Sequence, residues 1–130
     1  MRAAIFDLDG TLADTSGDLI GAANACFVAR GHGQPLDPGR DAATAFRGGR
    51  AMLSLGVTRV GGDPDWVEED FGPFLEIYAD RIDRETRIYP GVEAALDRLV
   101  AEGWALGVCT NKPEGLAETL LARLGLRPRF

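Results

Sequence analysis

The chain has 130 residues, 45% of them apolar and 26% charged, a balance that excludes wholesale disorder and leaves room for one compact core with an insertion but not for two ordinary independent domains. Lys+Arg number 14 against 20 Asp+Glu, and the net charge of -6 repels polynucleotides and anionic membranes, so neither is expected as a partner. No apolar run approaches the ~20 residues of a membrane span, and the run within Met1–Asp7 is too short for a signal peptide, so a cytoplasmic protein is expected.

Ala3-Ala4-Ile5-Phe6 is a short apolar run that predicts a buried strand ending in the polar turn Asp7-Leu8-Asp9-Gly10. From an N-cap at Thr15 or Ser16, apolar residues recur at Leu19, Ile20, Ala23, Cys26 and Phe27 until Gly31, the pattern of an amphipathic helix. Pro35, Pro38, Gly48 and Gly49 break the next stretch into short helical pieces around Arg40–Phe46 and Arg50–Leu55. A longer helix follows Asp63-Pro64, with Trp66, Val67, Phe71, Phe74, Leu75, Tyr78 and Ile82 on one side and an expected kink or division at Gly72-Pro73. Pro90-Gly91 opens a helix through Leu96 and Val100. The run Trp104–Cys109 then predicts a second buried strand, and Leu116, Leu120, Leu121 and Leu124 mark a last helix before Gly125. The order is that of a βαβ unit with a long helical excursion after its first strand. Cys26 and Cys109 form no CxxC or Cys/His ligand spacing and are expected to be buried, reduced thiols.

Parallel α/β sheets collect ligands at the carboxyl ends of their strands, and both predicted strands end there in polar residues. Asp7 and Asp9, one residue apart, project to one side of an extended segment, where like charges require a shared cation or proton. A hard cation such as magnesium lets one carboxylate act as nucleophile and the other as general acid and base. Gly10 permits the sharp turn, and Thr11 offers an N–H or hydroxyl to an anion. At the second strand end, Thr110, Asn111 and the helix N-terminus after Pro113 form a phosphate cradle, to which Lys112 adds a positive charge. An Asp-x-Asp-Gly run echoes a calcium loop, but that loop needs Gly at its sixth and Glu at its twelfth position, where Leu12 and Asp18 stand.

The stretch Asp7-Leu8-Asp9-Gly10-Thr11-Leu12-Ala13-Asp14-Thr15 resembles the first motif of the haloacid dehalogenase-like hydrolases, and Thr110-Asn111-Lys112-Pro113 resembles the second motif of their phosphoglycolate phosphatase branch. The resemblance implies an α/β fold: a Rossmann-like parallel-sheet core, incomplete in this chain, with an inserted α-helical cap. Residues 1–14 and 88–130 would form the core and 15–87 the cap. It further implies a magnesium-dependent phosphatase acting on a small phosphorylated metabolite such as 2-phosphoglycolate. Asp7 would be the nucleophile that forms an aspartyl-phosphate and Asp9 the acid/base. Thr110 and the backbone around Asn111 would hold the phosphoryl group, and magnesium would sit on Asp7 and the Asp9 carbonyl. The family also uses a later lysine and later acidic metal ligands, for which these residues offer at best Lys112, so the chain is expected to be inactive alone or to need another polypeptide. The alternatives are a sugar phosphomutase of the same superfamily and a non-catalytic, vestigial binding protein.

Several tempting residues have plainer readings. Asp14 is expected to cap or brace structure, and His32, between two glycines, to be an exposed loop residue. The stripe Phe71, Phe74 and Tyr78 reads as packing. Arg47 and Arg50, beside Gly48-Gly49, are candidates for pairing with a substrate carboxylate, with solvated surface arginines as the equal alternative.

Overall fold

The computed structural model describes residues 1–130. Strand β1 (Ala3–Phe6) runs into a turn and the two-residue strand β2 (Ala13–Asp14). Helices α1 (Ser16–Ala29), α2 (Ala42–Ala45), α3 (Gly49–Val60) and α4 (Trp66–Asp80) follow, and strand β3 (Arg87–Ile88) returns the chain. Then come α5 (Val92–Ala101), β4 (Ala105–Val108), α6 (Glu114–Arg123) and a single 3-10 turn at Arg127–Arg129. No helix is long and apolar enough to cross a membrane.

β1 and β4 pair in parallel, Ala3 opposite Ala105 through Phe6 opposite Val108, so the chain is an α/β fold built on a parallel sheet. The helical excursion leaves and rejoins this sheet through one narrow neck. There β2 and β3 pair antiparallel, Ala13 opposite Ile88 and Asp14 opposite Arg87. Two residues per strand carry no periodicity, so this ribbon has no sequence signature. Just beyond the neck, the fully buried Asp18 of α1 accepts hydrogen bonds from the Glu85 and Thr86 N–H groups (2.8 and 2.9 Å) and from the Thr86 hydroxyl (2.8 Å). A buried carboxylate so supplied with donors is tolerated, and it ties the start of α1 to the entry of β3.

The interior is one apolar cluster reaching from Met52, Leu53, Phe27 and Phe74 among the helices to Leu8, Leu12, Leu120 and Leu126 beside the sheet. Helix α4 is a single element, not divided at Gly72-Pro73, where the sequence predicted a kink or a division. Both residues lie on its exposed side, where the carbonyl freed by Pro73 meets water, while Phe71, Phe74 and Tyr78 anchor the opposite side. Helix α3 runs to Val60, well past the short piece expected around Arg50–Leu55. The two strands are not the buried ones predicted: Ile5 is 66% exposed, and no residue of β1 or β4 is fully buried. A sheet of two strands has an edge on each side and too little width to be covered on both faces. For the same reason Cys109, at the end of β4, is exposed rather than buried, whereas Cys26 in α1 is buried as expected.

Candidate active site

The parallel register brings the two polar strand ends side by side. Phe6 pairs with Val108 at the last rung, and the Cys109 N–H donates to the Phe6 carbonyl at 2.8 Å. The loop after β1 is tightly wound: the carbonyl of the buried Leu8 accepts N–H groups from Thr11, Leu12 and Ala13. Gly10 turns it with φ +79°, and a Cβ there would stand 2.7 Å from the Phe46 ring, so both backbone and space demand glycine.

Asp7 is exposed, and one of its carboxylate oxygens accepts the Leu8 N–H at 2.7 Å, leaving the other without a protein partner. Asp9 is more enclosed. Its Oδ1 accepts the Thr15 hydroxyl at 2.7 Å and faces Lys112 Nζ at 3.1 Å, while Oδ2 has no protein partner. Thr15 therefore spends its hydroxyl on Asp9 instead of capping α1. Asp14 braces the helix start, accepting from the Ser16 N–H (3.1 Å) and hydroxyl (2.6 Å). From the second strand end, the Lys112 N–H donates to Thr110 Oγ1 at 3.1 Å, folding the loop so that the lysine turns inward. The Lys112 side chain is only 4% exposed. Burial pulls its pKa below the usual lysine range, and the Asp9 carboxylate opposes that shift.

Asp7, Asp9, Thr110, Asn111 and Lys112 all line one cavity of about 400 Å³, which Arg47, Arg50, Phe71 and Tyr78 from the helical excursion also line. Gly10 and Thr11 stand apart from it. Their N–H groups close the turn onto Ala13 and Leu8, which leaves neither free for an anion. The two arginines differ. Arg50 is paired with Glu68 (2.9 Å) and lies over the Phe71 ring, 3.9 Å from its centroid, whereas Arg47 is exposed with no acidic partner. His32 is exposed beside the Trp66 ring, far from this chemistry in role and neighbours.

Tyr78 is the residue the sequence reading assigned to packing alone. It is buried and stacks on Phe74 as expected, but its hydroxyl also accepts a hydrogen bond from Lys112 Nζ at 2.7 Å. The contact joins residues 34 positions apart, and no local pattern announces it.

No three Asp, Glu, His or Cys side chains converge on a point that would cage a metal. The site does offer the free Asp7 oxygen and the Asp9 carbonyl, which accepts no backbone N–H. That oxygen-only set fits a hard cation such as magnesium, which keeps several waters and takes phosphate oxygens from its substrate.

The profile of the haloacid dehalogenase-like hydrolases matches residues 1–130. The chain belongs to that family. Among its curated relatives are phosphoglycolate phosphatases of Cereibacter sphaeroides, 34% identical over all of this chain and 60% of the relative, and of Caulobacter vibrioides, 38% identical over 96% of this chain and 53% of the relative. A solved structure described as a predicted phosphoglycolate phosphatase from Haemophilus somnus superposes with a TM-score of 0.84 at 23% identity, over all of this chain and 60% of that one, a likeness of fold. The chain thus spans about 60% of the length of the first of these relatives.

Proposed function

We propose that this haloacid dehalogenase-like chain is a magnesium-dependent phosphatase that hydrolyses a small phosphomonoester of the 2-phosphoglycolate kind in the cytoplasm, with residues 1–14 and 88–130 as its core and 15–87 as its cap. The observation that carries the reading is the meeting of Asp7, Asp9 and Thr110–Lys112 in one cavity, produced by the parallel pairing of β1 with β4. The names of the curated relatives support the substrate class.

In this reading the free oxygen of Asp7 attacks phosphorus, and the bond to the ester oxygen breaks. Asp9 Oδ2 gives that leaving oxygen a proton, while Oδ1 stays anchored by Thr15 and Lys112. Asp9 then takes a proton from the water that attacks the aspartyl-phosphate, so inorganic phosphate leaves and Asp7 is restored. Magnesium, held by Asp7 and the Asp9 carbonyl, would neutralise charge on the phosphoryl oxygens. The Thr110 hydroxyl, Asn111 and the Lys112 ammonium orient those oxygens. Arg47, with no acidic partner, receives the substrate's carboxylate, and Arg50, already paired with Glu68, shapes the wall.

The test is phosphate release from 2-phosphoglycolate and an aryl phosphate, with and without magnesium, beside mass spectrometry for a phosphorylated Asp7. Magnesium-dependent release that falls by at least ~10³-fold in Asp7→Asn is expected. Neither release nor an Asp7 adduct would refute the reading for this chain.

A further inference from the structure

Lys112 is the only lysine in the chain, and it is buried where the two halves meet. An ammonium has three N–H donors and no acceptor, and removing it from water is costly unless acceptors replace the water. Two groups take the place of water: Asp9 Oδ1, an ion-pair partner at 3.1 Å from the loop after β1, and the Tyr78 hydroxyl oxygen of α4, which accepts a hydrogen bond at 2.7 Å. Tyr78 and Asp9 are the only protein partners of Nζ, and Lys112 is part of the cavity lining. Asp9 alone would leave the ammonium free to swing about one ion pair. A hydrogen-bond acceptor from a different element restricts that swing.

The Tyr78 side is itself rigid. Its ring centroid lies 4.1 Å from Nζ, so the cation also sits against the aromatic face. The ring stacks on Phe74 at 6.2 Å with a 7° tilt, and Phe74 on Phe71 at 6.3 Å. Gly49 closes over this ladder so tightly that a Cβ there would overlap the Phe74 ring. Burial, with Asp9 and Asp18 nearby, pushes the Tyr78 hydroxyl above the usual phenol range, so it stays a neutral acceptor.

We propose that Tyr78 is a positioning residue for the phosphatase site: from the helical excursion, its hydroxyl holds the Lys112 ammonium against Asp9 and aims the remaining N–H at a phosphoryl group in the cavity. The second half of this statement rests on the function proposed above, whereas the first half does not. Tyr78 shares the cavity lining, but its hydroxyl is engaged by Lys112. It acts through Lys112, and so makes the helical excursion part of the phosphate site instead of a cover for it.

Because there is one lysine, selective ¹⁵Nζ labelling yields a single side-chain ammonium resonance in the intact chain. Its exchange with water and its shift on adding inorganic phosphate are the two readouts. Tyr78→Phe keeps the ring and the stack and removes only the acceptor. It is expected to raise ammonium exchange at least tenfold and to weaken phosphate binding about tenfold. Lys112→Met provides an independent arm, since adding Tyr78→Phe to it is expected to change phosphate affinity by less than twofold. Exchange left within twofold by Tyr78→Phe, or full additivity of the two substitutions in phosphate affinity, would overturn the proposal. Faster exchange in Tyr78→Phe together with no phosphate response in any variant would uphold the positioning of Lys112 and count against the phosphatase reading alone.

Discussion

The helical excursion and the parallel sheet divide the labour of this molecule unevenly. Helix α1 buries nine of its 14 residues, Phe27 completely, and α3 and α4 add Met52, Leu53, Phe74 and Tyr78 at 2% exposure or less. Strands β1 and β4 bury none fully, yet the loops that follow them carry Asp7, Asp9 and Thr110–Lys112, which line one cavity. Burial is concentrated in one half and the polar cavity-lining loops in the other, and the Tyr78–Lys112–Asp9 contact is where they meet. Asp7 and Asp9 therefore sit on the half with the weaker grip on its own structure, where local opening is easiest.

Truncation inside the helical half should break the fold most severely. Phe27→Ala empties a fully buried position and is expected to cost about 3–5 kcal/mol in urea unfolding. Gly56→Ala reverses the usual helix propensity: a Cβ there would overlap the Phe27 ring, so about 1–3 kcal/mol of destabilisation is expected where an open helical site would gain. An acid titration probes the same half. Arg59 holds the buried Asp41 through a 2.8 Å bond and lowers its pKa to about 2. A depressed folded-state value means this stabilisation is present above the ordinary carboxylate range and is lost as the pH falls from about 4 towards 2. Asp41→Asn should thus lower Tm at neutral pH, and the gap to the parent should narrow through that acid window. The smallest effect belongs to the sheet. Ile5→Thr, at a position 66% exposed, is expected to cost under about 1 kcal/mol, and a larger loss would mean that the exposed strand is covered in solution.

How much of this was legible in the sequence depended on range. β1, α1, α5, β4 and α6 follow from local periodicity and from Gly31, Pro90-Gly91, Gly103 and Gly125, and they appear within a residue or two of expectation. Motif spacing at the strand ends selected Asp7, Asp9, Thr110, Asn111 and Lys112, and these line one cavity. Gly10 and Thr11 were picked on the same spacing, but turn hydrogen bonds consume their N–H groups. Pairings between distant residues left no trace. The β2–β3 neck joins residue 14 to 87, Asp18 reaches Thr86, and Tyr78 meets Lys112. The aromatic spacing of α4 placed Tyr78 on the packed side correctly, and what it hid was a hydroxyl at the end of a packed ring.

The neck has an engineering corollary. Asp14 and Arg87 are opposed partners in an antiparallel ladder, so the chain that departs for the helices and the chain that returns are already arranged as the two arms of a hairpin. A two-residue Asn-Gly link suits that geometry at the neck itself, but replacing residues 15–86 with it would strip the apolar cover from Leu8 and Leu12 and remove Thr15 and Tyr78 from Asp9 and Lys112. The excursion is thus attached by adjacent ends, and a helical module grafted at the same pair of residues would have to restore those contacts for the two polar loops to keep their shape.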